Sequence, residues 1–297
     1  MGQYSIKDIE KLTGIKAHTI RIWEQRYGLV EPHRTDTNIR YYDDNQLKTL
    51  LNVSMLVKHG KKISHIANLS PDLLHQEVNS IAKLPNEKHD FFQLQIDSLI
   101  VCMIDLDEIR FEKIISTATL RYGFETTITE IIVPFLHKVG ILWATDEINV
   151  AQEHFISNLI RRKLLVAIDA IIPNPDYTKK FLLFLPEGEL HELGLLFAKY
   201  LIKSRGFKTI YLGQSVPLKD LLKLGEYYHP DFLLTYFTLT YETQKMHEYV
   251  QGLVKGFPKV TILFCGPQAA SLSMSLPPNG KIVLEIPQLI EILNKVN

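Results

Sequence analysis

FLLFLPEGELHELGLLFAKYLIKSRGFKTIYLG, residues 181–213, is the stretch on which the fold turns. An apolar run over 181–185 is followed by a polar break, Glu187-Gly188-Glu189. A helical pattern then carries Leu190, Leu193, Phe197, Tyr200 and Leu201 over 190–204, and a second strand-like run over 209–212 ends on Gly213. Strand, helix and strand at this spacing open a β-α-β unit, whose ligand-facing edge lies at the carboxyl ends of its strands. The loop at that edge sets one imidazole, His191, between two carboxylates, Glu189 and Glu192. Gly194 stands just inside the helix, where a glycine costs roughly 1 kcal/mol against alanine. Its presence there points to a bulky group close to the backbone.

Downstream, strand-like runs recur over 232–237, 260–264 and 282–286, separated by helical patterns over 217–228, 241–255 and 287–296. The expectation is a flavodoxin-like α/β domain over 177–297. Its five parallel strands run in the order 2-1-3-4-5, and its carboxyl edge presents His191, Gly213-Gln214, Thr238-Leu239-Thr240 and Gly266.

Upstream, Pro173-Asn174-Pro175-Asp176 and the polar stretch 84–90 read as linkers. Between them, 90–173 shows helical periodicity broken three times, which predicts a four-helix bundle. Thr145 or Asp146 caps its last helix, which carries Glu153, His154 and Ser157 among Val150, Ile156, Leu159 and Ile160. His154, Ser157, Asn158 and Arg161 share one side of that helix. A lone histidine in such a place is ordinarily a hydrogen-bonded packing residue.

Residues 1–82 form a third part. Lys+Arg and Asp+Glu balance at 33 each over the 297 residues, yet 1–70 holds 11 basic against 7 acidic residues, a net +4. Ser5 caps a helix with Ile6, Ile9 and Leu12 that stops at Thr13-Gly14. A second helix from about Lys16 turns Ile20 and Trp23 inward and leaves His18, Thr19, Arg21 and Arg26 outward. This is a helix-turn-helix. Arg40-Tyr41-Tyr42 reads as a hairpin wing, and Asp43 or Asp44 starts a further helix through Leu47, Leu50, Leu51 and Met55.

Hydrophobic content of 46% is enough for about two domains with real cores. Two cysteines, Cys102 and Cys265, make neither a disulfide framework nor a metal knuckle, so a reduced, cytoplasmic setting is expected. The start lacks a signal-peptide layout, and no run is apolar and long enough to span a membrane. No Ser-His-Asp arrangement or phosphate-cradling glycine loop is present. His191-Glu192 is not a zinc helix motif, because position 195 is leucine.

The string YSIKDIEKLTGIKAHTIRIWEQRYGLVEPHRTDTNIRYYDDNQL, residues 4–47, resembles the MerR family of winged-helix regulators. The carrying residues are Thr19-Ile20-Arg21-Ile22-Trp23-Glu24 and Arg40-Tyr41-Tyr42. The resemblance implies that the second helix, with His18, Thr19, Arg21 and Arg26, enters a major groove of double-stranded DNA, while Arg34, Arg40 and Tyr41 hold the backbone. Trp23 and Tyr42 read as core.

Glu189-x-His191-x-x-Gly194, Thr238-x-Thr240 and Gly266-Pro267 resemble the three motif elements of the corrinoid-binding domain. The implied roles are His191 as the lower cobalt ligand, with Glu189, Gly194, Gly213, Thr238, Thr240 and Gly266 around the cofactor and its buried nucleotide tail. Proline at 267 replaces a second glycine, fixes a backbone angle and removes a donor, so a narrowed or reshaped tail groove is expected. Trp143-x9-Glu153-His154, with Ser157 three residues on, resembles the cap of CarH/LitR-type regulators, the MerR proteins that sense light through adenosylcobalamin. There the tryptophan covers the adenosyl group, the glutamate bonds it, and the histidine takes the upper cobalt position after photolysis.

Together these imply a DNA-binding repressor, not an enzyme, gated by adenosylcobalamin and light and acting as a dimer or tetramer. The alternative is a MerR-type regulator whose C-terminal domain no longer binds cobalamin and serves protein contacts. A third reading, a corrinoid carrier for methyl transfer, has no use for a DNA-reading head.

Overall fold

A computed structural model describes residues 2–81, 88–144, 149–239, 242–274 and 276–296. The chain divides into two compact units, Met1–Leu159 and Ile160–Asn297.

The first unit opens with β1 (Tyr4–Ser5), α1 (Ile6–Thr13), α2 (Ala17–Tyr27), β2 (His33–Arg34), β3 (Arg40–Tyr42), α3 (Asp44–Lys58), α4 (Ile63–Ile66) and α5 (Pro71–Ile81). The helix ends follow from local chemistry. Ser5 and Asp8 form a reciprocal capping box at α1. Gly14, at φ +73°, takes the left-handed turn that ends α1. Asp43 and Gln46 form a second box at α3, with bonds of 2.9 and 3.0 Å. The three short strands pair antiparallel in the order β1-β3-β2 and make the wing. Ile20, Trp23, Tyr42, Leu47, Leu50 and Leu51 are buried beneath it, as expected.

The helical part follows with α6 (Lys88–Asp105), α7 (Glu108–Tyr122), α8 (Phe124–Thr127), a π-helical turn (Ile128–Ile132), α9 (Val133–Ala144) and α10 (Val150–Asp169), whose residues from Ile160 onward belong to the second unit. α8, the π turn and α9 run on without a break, so the part comprises four helices, as the periodicity predicts. Leu99, Phe111, Ile131, Phe135 and Leu142 are fully buried within it.

Charge fastens the head to these helices. Asp97 of α6 is buried and accepts from Lys138 Nζ at 2.7 Å and from Gln93 Nε2 at 2.8 Å, with Lys58 Nζ 3.6 Å away. Lys138 also donates to the Leu12 carbonyl in the last turn of α1, at 3.2 Å. Lys48 of α3 reaches Asp105 at 2.6 Å.

The second unit holds β4 (Lys180–Pro186), α11 (Leu193–Ser204), β5 (Lys208–Val216), α12 (Leu218–Gly225), β6 (Phe232–Tyr236), α13 (Thr243–Gly256), β7 (Thr261–Cys265), a 3-10 turn (Pro267–Met274), β8 (Gly280–Val283) and α14 (Ile286–Lys295). The five strands are parallel in the order β5-β4-β6-β7-β8, the expected 2-1-3-4-5. Leu182, Phe184, Leu233, Ile262 and Phe264 pack with residues of α12 and α13 on one face of the sheet.

Several boundaries differ from expectation, among them β5, which runs on to Val216 rather than 212, and α12, which ends at Gly225 rather than 228. α11 starts at Leu193, not 190; Leu190 fits the helical period but is 61% exposed in the loop. The last strand ends at Val283 rather than 286, because Glu285 and Gln288 form a capping box and start α14 at Ile286. No helix among the described residues is long and apolar enough to cross a membrane.

Removing one partner of a buried ion pair leaves the others desolvated and unpaired. Asp97→Ala is expected to destabilise the first unit by about 2–4 kcal/mol in urea unfolding, discounted because both lysines remain partly solvated. An unchanged midpoint would show that the pairs do not fasten the head.

Candidate functional site

The loop between β4 and α11 is organised by one buried carboxylate. Glu189 Oε1 accepts from the His191 amide at 3.0 Å and from His191 Nδ1 at 2.6 Å. Its Oε2 accepts from the amides of Thr238 and Leu239, both at 2.9 Å, in the loop after β6. Burial pushes the Glu189 carboxyl up, but the three amides and the imidazole outweigh it and hold it below the ordinary glutamate value. A proton on Nδ1 of His191 leaves the Nε2 lone pair on a ring that is 55% exposed. The result is an oriented nitrogen donor at the carboxyl edge of the sheet.

Glu192 serves elsewhere. It is buried and accepts from Arg161 Nε and, at 2.7 Å, from the Tyr211 hydroxyl, which ties α11 to α10 and β5. The expectation of an imidazole between two carboxylates therefore resolves into one pairing, with Glu189.

Strand β5 supplies the neighbouring wall. Gly213 (φ +83°) and Ser215 (φ +51°) sit where β4 and β5 shift register. Ser215 N–H donates to the Glu189 carbonyl at 3.2 Å, and its hydroxyl accepts from Gly188 N–H at 3.1 Å. Thr238 lies half-buried at the edge; Thr240 is outside the described residues.

Gly194 and Gly266 face a single aromatic ring. A Cβ on Gly194 would lie 2.6 Å from Cζ of Tyr236, and one on Gly266 would lie 2.8 Å from Cδ1 of the same ring. Gly266 also has φ +98°, and its added Cβ would meet the Phe237 carbonyl at 2.5 Å. Beside the ring remains a cavity of about 10 Å³. The ring that closes the space between Gly194 and Gly266 is Tyr236, a residue the sequence reading did not single out; its register in β6 was the available signal.

In the first unit, Glu153 gathers two partners on α10. Ser157 Oγ donates to Oε1 at 2.5 Å, and His154 Nδ1 lies 2.7 Å from Oε2. The His154 ring is 69% exposed. The side chain of Trp143, and residues 145–148 with the two cap candidates Thr145 and Asp146, lie outside the described residues.

On the head, His18, Arg21 and Arg26 are exposed on α2, with Thr19 half-buried between them. Glu10 accepts from the Ala17 amide at 3.0 Å and so caps α2. Between α1, α2 and the wing lies a concavity of about 340 Å³ lined by Ser5, Ile6, Lys7, Arg21, Asn38, Ile39 and Arg40. Lys7 is a cation of this face that the motif reading passed over. Arg34 reaches Asn38 Oδ1 at 2.7 Å, Tyr41 stacks on His33 at 5.3 Å, and Arg40 Nε lies 3.6 Å from Glu24.

Two family models match the chain. Residues 4–73 match the MerR HTH family regulatory protein, and residues 95–167, the four helices, match the B12 binding domain. The chain therefore joins a MerR-type helix-turn-helix to a B12-binding domain. It is homologous to two transcriptional repressors of Myxococcus xanthus, CarH and CarA. Identity to CarH is 27% over 269 residues, covering 90% of this chain and 89% of CarH. Identity to CarA is 27% over 219 residues, covering 73% and 70%. Among solved structures, the monomethylamine corrinoid protein of Methanosarcina barkeri is similar in fold, with a TM-score of 0.58 and 15% identity over 69% of this chain and 99% of that one.

The lowered pKa of Glu189 has a sign. Its contribution to stability is present above the ordinary glutamate range and is lost as pH falls through the lowered value. Wild type should lose stability below pH about 4.5, whereas Glu189→Gln should start about 1–2 kcal/mol lower at neutral pH and lose less on acidification. Urea midpoints across that range check this; parallel pH profiles would contradict it.

Proposed function

We propose that this chain is a cytoplasmic transcriptional repressor whose grip on a double-stranded operator is set by adenosylcobalamin and light. In this reading 1–82 binds DNA, 90–173 caps the cofactor and 177–297 carries it from below. The observation that supports it most is the imidazole of His191, oriented by Glu189 with Nε2 turned to solvent at the strand ends. A neutral imidazole nitrogen suits cobalt, and a carboxylate on the other ring nitrogen is the usual means of fixing such a ligand. The donor fits; the groove behind it, lined by Gly194 and Gly266, is filled by Tyr236.

His191 is the lower ligand, and Glu189, Gly213, Thr238 and Thr240 shape the edge around it. Trp143, Glu153 and Ser157 are assigned to the upper side, with His154 as the candidate upper ligand after illumination. Bound adenosylcobalamin supplies a light-labile carbon–cobalt bond. The chain supplies the heads: linked in one dimer or tetramer, they bind neighbouring half-sites far better than a single head. On each head, Arg21, Arg26, His18 and Thr19 face the groove, and Lys7, Arg34, Arg40 and Tyr41 border the backbone.

A second reading keeps the regulator and drops the cofactor, and the Tyr236 ring in the groove favours it. Dark incubation with adenosylcobalamin separates the two. The first reading expects a bound chromophore, a shift of a duplex selected from a random pool by the full chain, and loss of that shift on illumination. His191→Ala should abolish or strongly weaken the uptake. No uptake, with operator binding indifferent to cofactor and light, would leave the second reading.

Arg21→Ala should weaken operator binding about 5–100-fold, and Lys7→Ala should lower the salt slope by about 1 across sequences. Titrations at several salt concentrations decide this; unchanged binding by both variants would move the interface off this face.

A further inference from the structure

The ring of Tyr236 touches two glycines that come from different elements. Gly194 lies in the first turn of α11, and Gly266 follows β7. Neither position could carry even a methyl group without meeting that ring, at 2.6 and 2.8 Å. The remaining cavity of about 10 Å³, between α11, the sheet and α14, holds at most a single water. Residues 233 and 237 face α13, so Tyr236 points to the opposite side of the sheet, toward α11. No hydrogen bond holds the phenol hydroxyl among the described residues; the ring is kept there by shape.

A slot between two glycines, closed by a flat ring, is a slot for a flat ring. Resting on the cobalamin reading above, we propose that Tyr236 is a built-in occupant of the groove and competes with the nucleotide base of the corrinoid. The corrin and cobalt meet His191 at the edge, which Tyr236 leaves open. The nucleotide tail needs the groove, which Tyr236 closes. Selectivity therefore moves away from complete cobalamins and toward corrinoids without the nucleotide, and a cobalamin enters fully only when Tyr236 swings out.

The probes are hydroxocobalamin and hydroxoaquocobinamide, which share the corrin and differ in the nucleotide, titrated by absorbance into the full-length protein. Wild type is expected to bind the cobinamide at least as tightly as the cobalamin. Tyr236→Ala is expected to raise cobalamin affinity about tenfold and to leave cobinamide within about twofold. Tyr236→Phe, which keeps the ring, should behave as wild type. A wild-type preference for cobalamin of about tenfold or more overturns the proposal without any variant, so it stands or falls even if Tyr236→Ala does not fold. Equal cobalamin affinity in wild type and a folded Tyr236→Ala also overturns it. Uptake of neither probe by wild type and Tyr236→Ala alike is a different result: it removes the cobalamin reading itself, and this inference with it.

Discussion

One buried carboxylate holds the C-terminal site together. Glu189 accepts hydrogen bonds from the amide and imidazole of His191 in its own loop and from the amides of Thr238 and Leu239 in the loop after the neighbouring strand. Hydrogen bonds to an ionised acceptor are about twice as strong as neutral ones. They fix three things together: the path of the chain before α11, the path after β6, and the tautomer and direction of the His191 ring. An aspartate would be one methylene shorter. The glutamate spans from its own loop across to the amides of Thr238 and Leu239, so its length is part of the design of this edge.

The head follows a related rule. Its helix starts are satisfied by side chains, with Ser5, Glu10 and Asp43 at α1, α2 and α3 respectively. Its position against the helical part depends on Asp97, a buried charge met by Lys58, Lys138 and Gln93. Lys138 also bonds the last turn of α1, so one side chain of α9 meets both Asp97 of α6 and the chain just before the turn into α2.

Much of this was legible in the sequence. The inner strands β4, β6 and β7 are largely apolar runs, which is what strands buried on both faces require, and the order expected of a flavodoxin-like sheet is the one observed. Local signals located α1, and the starts of α2 and α3, within a residue. The start of α11 was misplaced because Leu190 fits a helical period yet lies on the outside of the loop. The resemblance singled out Glu189, but spacing alone left His191 between two carboxylates, since what engages Glu192 is Arg161 and Tyr211, brought to it by other elements. Tyr236 was missed for the same reason. Alternation assigns it a face, but only the fold shows that Gly194 and Gly266 flank it. Asp97 reads as one more polar position on a helix until its lysines arrive from α3 and α9.

The central claim is that Glu189 presents Nε2 of His191 as a cobalt ligand. The most direct test is electron paramagnetic resonance of the full-length protein loaded with cob(II)inamide, which has no nitrogenous base of its own. The account predicts cobalt lines split by one nitrogen. In protein grown on nitrogen-15 histidine the triplets should become doublets, and in His191→Ala they should vanish. Cobalt lines without nitrogen splitting, or splitting that survives the loss of His191, would contradict it.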